Sequence, residues 1–214
     1  MLKPRAKTAV PPEKTMRRRP TQERAQRSVD AIFEATAQIV DHEGLEGLTT
    51  NKIAARAGVS VGTLYQYFPS KEKVLEAMIV AERELVMAEL QQILSDVVSG
   101  VVDPLAGVHK RVKLLIETFS TGRNLSPAMI KLAWQMDYVD FLAQAQREGA
   151  ERIAVAWAQL ADPTARPLSL SRLFVGTRAV IGVIRSAVLE DSPLLGTQAF
   201  EDELVRLIWS MTRQ

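Results

Sequence analysis

The chain has 214 residues, no cysteine, two histidines and a formal net charge of +2, with 27 Lys/Arg against 25 Asp/Glu. Disulfides, thiolate zinc sites and thiol catalysis are therefore excluded, and neither His42 nor His109 stands in a metal-ligand pattern. No apolar run reaches the roughly 18 residues of a membrane span, and residues 1–20 are too polar and proline-broken for a secretory signal; a cytoplasmic protein without membrane contact is expected.

The small net charge hides an asymmetry. Residues 1–75 hold 13 Lys/Arg against 8 Asp/Glu, whereas residues 76–214 hold 14 against 17. That division fits a polyanion-binding head on a mildly acidic body. Residues 1–20 carry four prolines among Lys3, Arg5, Lys7, Lys14, Arg17, Arg18 and Arg19, which predicts a disordered basic tail. The tail is either a solvated terminus or an arm touching DNA, and its composition does not decide between the two.

A first helix follows, with Thr21 as candidate N-cap and Val29, Ile32, Phe33, Thr36, Ala37, Ile39 and Val40 at helical spacing. Gly44 and Gly47 end it. Residues 49–68 then read TTNKIAARAGVSVGTLYQYF. Thr50 is placed to cap a short helix carrying Ile53, Ala54 and Ala57 on one face, and Gly58 supplies the left-handed residue that closes it. Val59 plugs the angle, and Ser60 caps a second short helix over Val61–Tyr67. This is helix-turn-helix spacing, in which the second helix enters the DNA major groove. Leu64 and Phe68 are expected to point inward. Val61 and the Thr63 methyl suit thymine methyl groups, Gly62 permits close backbone approach, and Gln66 can read adenine.

From Ser70 a long helix is predicted to about Ser99, and the remainder reads as helices over about 104–120, 127–136, 138–160, 169–189 and 197–211. No segment keeps strand period, so the fold class is all-α. The expected domains are the tail at 1–20, a three-helix DNA-binding domain at 21–75, and a larger helical domain at 76–214, with the long helix joining the last two.

Residues 24–80 resemble the DNA-binding domain of the TetR family of bacterial repressors, through TTNKIAARAGVSVGTLYQYF followed by Ser70-Lys71-Glu72 and Val74-Leu75. The resemblance implies phosphate or base contacts from Thr50, Ser60, Thr63, Tyr65, Tyr67 and Lys71, with Tyr67 standing where a histidine is frequent. Lys52 and Lys71 also suit phosphates by charge, and Lys71 lies at a helix N-terminus. The resemblance further implies an effector cavity in the larger domain. Met129, Trp134, Met136, Tyr138, Phe141 and Trp157 are candidate lining, and Arg178 a candidate polar contact, against the alternative of an ordinary helical core.

Two apolar stripes in the last helices point to a homodimer packed as a four-helix bundle. One holds Leu173, Phe174, Thr177, Ile181, Ile184 and Val188, the other Leu204, Leu207, Ile208 and Met211. The alternative is that both stripes are spent within one subunit. No Gly-rich phosphate loop, nucleophile–base pair or metal cluster supports an enzyme, and no cofactor is called for. The expected function is a ligand-responsive regulator that binds a palindromic operator in double-stranded DNA as a dimer and is released by a small hydrophobic effector. The alternatives are an activator, or a DNA-binding regulator controlled by a protein partner.

Overall fold

A computed structural model describes the backbone of residues 18–120, 125, 127–135, 139–160 and 168–212, and their side chains except at 18–21, 135 and 139–142. Among these residues the secondary structure is nine helices: α1 (Arg18–Glu43), α2 (Thr50–Ala57), α3 (Val61–Tyr67), α4 (Lys71–Val98), α5 (Pro104–Ser120), α6 (Pro127–Gln135), α7 (Val139–Gln159), α8 (Leu170–Leu189) and α9 (Gln198–Thr212). Two sequence expectations are corrected at the start of the chain. Helix α1 begins at Arg18, so Thr21 lies inside it rather than capping it. Pro20 falls in the first turn, where no intrahelical N–H bond is needed. Of the expected disordered tail, residues 1–17 lie outside the described residues.

The cap of α2 also moves by one. Thr49, extended at φ −136°, accepts from the Lys52 amide, and Thr50 is the first helical residue. Gly58 closes α2 at φ 68°, a conformation cheap only for glycine, and its N–H reaches the carbonyls of Ala54 and Ala55. Ser60 then accepts from the Thr63 amide at 2.9 Å and starts α3. At the head of α4, Ser70 accepts from the Lys73 amide.

The head is held by a small, fully buried core. Ile32 and Ile39 of α1, Leu48, Ile53 of α2, Leu64 of α3 and Val74 of α4 are each wholly removed from solvent. At about 1.5–3 kcal/mol for each buried aliphatic side chain, these contacts fix α3 far more firmly than its seven residues could by helix propensity. Phe68 packs its ring 5.8 Å from that of Phe33. The apolar core continues without interruption into the body through Met78, Val112, Ile116, Met129, Ile184 and Leu204.

Helix α4 packs against α5 and α7, and α5 packs in turn on α8 and α9. Gly107 lies so close to Val97 that a Cβ at this position would overlap the Val97 Cγ2 methyl. The α4–α5 crossing is therefore tight at its distal end.

Candidate DNA-reading face and effector cavity

Helix α3 turns Leu64 fully inward and leaves Val61, Gly62, Tyr65, Gln66 and Tyr67 exposed. The seven-residue helix thus carries one anchoring side and one exposed side, the candidate reading side. The Tyr65 hydroxyl lies 3.3 Å from Thr50 Oγ1, which ties the reading side to the first turn of α2. Ser60 and Thr63 hydroxyls are 2.8 Å apart, so both are oriented before any ligand arrives.

The two lysines assigned to phosphate are already engaged. Lys52 Nζ donates to Glu43 Oε2 at the end of α1, and Arg56 Nη2 lies 3.8 Å from Glu43 Oε1. The Lys52 hydrogen bond, assisted by the charges of Lys52 and Arg56, holds the Glu43 carboxyl below its usual range. Lys71 Nζ donates to the Leu48 carbonyl at 3.0 Å and so staples α4 to the loop before α2. Lys52 remains about half exposed, and its ammonium has further donors beside the one given to Glu43. Lys71 is half-buried and structural in this state.

Below the head, α4, α5, α7 and α8 enclose a cavity of about 290 Å³. Its wall is almost wholly apolar and includes Val86, Leu90, Leu115, Phe119, Trp134 and Trp157. Trp134 packs on Phe119 with ring centroids 4.9 Å apart. Trp134 and Trp157 are the two expected lining residues that the structure brings to the cavity. Met129 is fully buried in the core beside it and does not line it. Arg178 also stands apart, its guanidinium 4.0 Å above the Phe174 ring on the outer side of α8. Met136 and Tyr138 lie outside the described residues, as does the side chain of Phe141.

Three charged residues on the cavity wall escaped the sequence reading: Glu82, Arg83 and Arg111. Each had a signal. Glu82 interrupts the buried α4 stripe Leu75, Met78, Val86, Leu90 and Leu94 at four-residue spacing, and it is itself 5% exposed. Arg111 interrupts the α5 stripe of Val108, Val112 and Leu115 in the same way. Arg83 Nη2 donates to Glu148 Oε2 of α7 at 2.9 Å. Arg111 Nη1 donates to the Leu90 carbonyl at 2.7 Å, and burial pushes its pKa down to about 10.

The stripes assigned to a dimer are largely covered inside the subunit, the alternative that the sequence left open. Leu173, Ile184, Val188 and Leu204 are buried, and Ile181 and Ile208 pack against the core. Thr177 is half-buried and bonds the Leu173 carbonyl, and Met211 lies against Gly176. Of the ten assigned residues, Phe174 and Leu207 remain exposed. The outer face of α8 is apolar nonetheless, through Leu170, Phe174, Val175, Val183 and Leu189.

A helix-turn-helix with a pre-oriented polar exposed side is set on a helical body with an apolar cavity. Residues 32–78 match the family described as bacterial regulatory proteins, tetR family. The chain is 32% identical over 104 residues to the nucleoid occlusion factor SlmA of Aliivibrio fischeri strain MJ11, covering 48% of this chain and 49% of that protein. It thus matches about half the length of that relative. It is 25% identical over 190 residues to the HTH-type transcriptional regulator UidR of Escherichia coli K12, covering 78% of this chain and 97% of that protein.

A TetR-family regulator from Mesorhizobium loti superposes with a TM-score of 0.66 at 16% identity, covering 89% of this chain and 99% of that one. The SmeT–triclosan complex superposes with a TM-score of 0.59 at 20% identity, covering 87% and 92%. At these identities the likeness is one of fold. Residues 32–78 thus resemble the DNA-binding segment of that family, and the described helices share the fold of solved regulators assigned to it. No helix among the described residues is long and apolar enough to cross a membrane.

Proposed function

We propose that the chain is a repressor that binds a palindromic operator as a homodimer and is released by a small hydrophobic effector. The reading assigns residues 21–75 to the head and 76–214 to the effector-binding and dimerising body. The observation that supports it most is that α4 belongs to both parts. Its first turns carry Val74 into the core of the head, and its later turns carry Val86 and Leu90 onto the cavity wall. A molecule that fits one position of α4 better than another biases the placement of the head. A hundredfold change in operator affinity requires only about 2.8 kcal/mol of coupling. SmeT, a structural neighbour, is solved with triclosan, and an apolar cavity in this chain fits a ligand of comparable character.

Thr50, Ser60, Val61, Gly62, Thr63, Tyr65, Gln66 and Tyr67 form the proposed DNA contact, with Lys52 and Lys71 at its margin. The outer face of α8 is the proposed seat of the second subunit, because two heads on one axis read two half-sites. Selection of sites from random duplex DNA, with sizing of the resulting complex, tests the reading. A palindromic motif bound by an even number of chains is expected, and an asymmetric site bound by one chain overturns it. Tyr65→Ala combined with Tyr67→Ala is expected to abolish binding to the selected site while the chain remains folded; retained affinity removes α3 from the interface.

A further inference from the structure

Resting on the effector-cavity reading, the wall of that cavity specifies the ligand further. The charges there are not equivalent. Arg83 is compensated by Glu148. Glu82 lies eight residues before Leu90 on α4, about 12 Å along the helix axis. Arg111 sits at Leu90, and among the described residues no carboxylate stands within ion-pair range of it. A guanidinium has five N–H donors, and the Leu90 carbonyl accounts for one recorded bond. Burial without a nearby anion lowers its pKa to about 10, still well above neutrality, so the group is a cation at pH 7. A second donor points the same way. Trp134 is 5% exposed and lines the cavity, and its Nε1–H has no hydrogen-bond partner in the described structure. A buried donor left unmet is costly, so both groups favour a ligand that brings acceptors.

We propose that the effector is an amphipathic monoanion, an apolar body bearing a carboxylate or similar oxyanion, whose head group is bound by Arg111. The planar guanidinium fork accepts such a group in two parallel hydrogen bonds, and the low polarity of the surrounding wall strengthens both. Apolar side chains of α4 and α5, together with Trp157, take the body. Size follows from the volume. The 290 Å³ cavity is about twice the ~150 Å³ that takes one benzene, which corresponds to roughly a dozen non-hydrogen atoms.

Decanoate and 1-decanol are matched in length and differ in charge. Each is titrated calorimetrically at pH 7 into the full-length chain, and then into Arg111→Met and Arg111→Lys. Decanoate is expected to bind the unmodified chain about tenfold or more tighter than decanol, the ordinary scale of a charge-assisted hydrogen bond. Arg111→Met is expected to bring decanoate down to the affinity of decanol and leave decanol unchanged, with Arg111→Lys between. Equal binding of acid and alcohol to the unmodified chain overturns the assignment and leaves an apolar-effector regulator standing; that comparison needs no variant. Unchanged decanoate binding in Arg111→Met overturns it as well. Binding of neither compound removes both this inference and the effector reading on which it rests, while site selection on DNA tests the head separately.

Discussion

Glu43 holds two of the cations nearest the reading helix, Lys52 and Arg56, in a surface cluster at the end of α1. A carboxylate beside the helix proposed to face DNA would lower affinity twice, by engaging cations and by repelling phosphate. Glu43→Gln is therefore expected to strengthen non-specific DNA binding. It should also steepen the slope of log affinity against log salt by about 1 for each phosphate newly neutralised, as titrations at several ionic strengths would show. Arg111 carries the opposite trade-off. Its folded pKa is depressed, so the charged form is disfavoured by folding throughout the range below about 10, and the penalty fades as pH rises beyond that value. Arg111→Met is expected to raise the melting temperature of the ligand-free chain at pH 7 by ~2–4 °C, corresponding to about 1 kcal/mol, in a thermal scan. The exposed side of α3 was legible in the sequence because its residue types are tied to local geometry. Ser60 and Gly58 mark turns that few other residues make, and Leu64 is forced inward by the spacing from Ile53. The partners of Lys52 and Lys71 were not visible. They depend on where the end of α1 and the carbonyl of Leu48 come to rest, which no local pattern encodes.

At the scale of elements, Pro104 and Pro127 located the starts of α5 and α6, because a proline suits the first turn of a helix and not its interior. Which face of each helix is buried was less legible. Leu85 of α4, expected among its apolar positions, is 53% exposed, while Glu82 is buried. A helix in contact with α5 and α7 hides a broad arc, and hydropathy alone cannot say which edge of that arc meets solvent. The distal α4–α5 crossing gives a direct test. Alanine gains about 0.5–1 kcal/mol over glycine in a helix, whereas overpacking a fixed contact costs about 1–3 kcal/mol. Val97 is β-branched and has one favoured rotamer in a helix, so it cannot easily swing away. Gly107→Ala is accordingly expected to lower stability, with a reduced denaturant midpoint and an unchanged m-value.

For the whole molecule, the exposed side of α8 is the proposed seat of a second subunit. Whether the stripes of α8 and α9 are spent inside one subunit or between two could not be read from the sequence, because apolar stripes look alike whether a neighbouring helix or a neighbouring subunit covers them. Phe174, 59% exposed beneath Arg178, is the largest exposed apolar side chain on α8. Phe174→Glu is expected to leave the helix content intact and convert the proposed dimer to a monomer at micromolar concentration, measured by light scattering. Operator affinity should fall with it, since a lone head reads half a site.

Helix α4 has neither glycine nor proline from Lys71 to Val98. Its 28 residues therefore behave as a stiff shaft about 42 Å long, with no joint at which bending is cheap. A tilt of about 5° imposed at the cavity end displaces the far end by about 3.5 Å, comparable with the ~3.4 Å rise of one base pair along a DNA strand. In a symmetric pair the two displacements add or oppose according to their directions about the axis, so leverage alone can move two reading helices out of phase with the groove. In the proposed repressor, a tilt of a few degrees along this shaft is then enough to decide whether the operator is held.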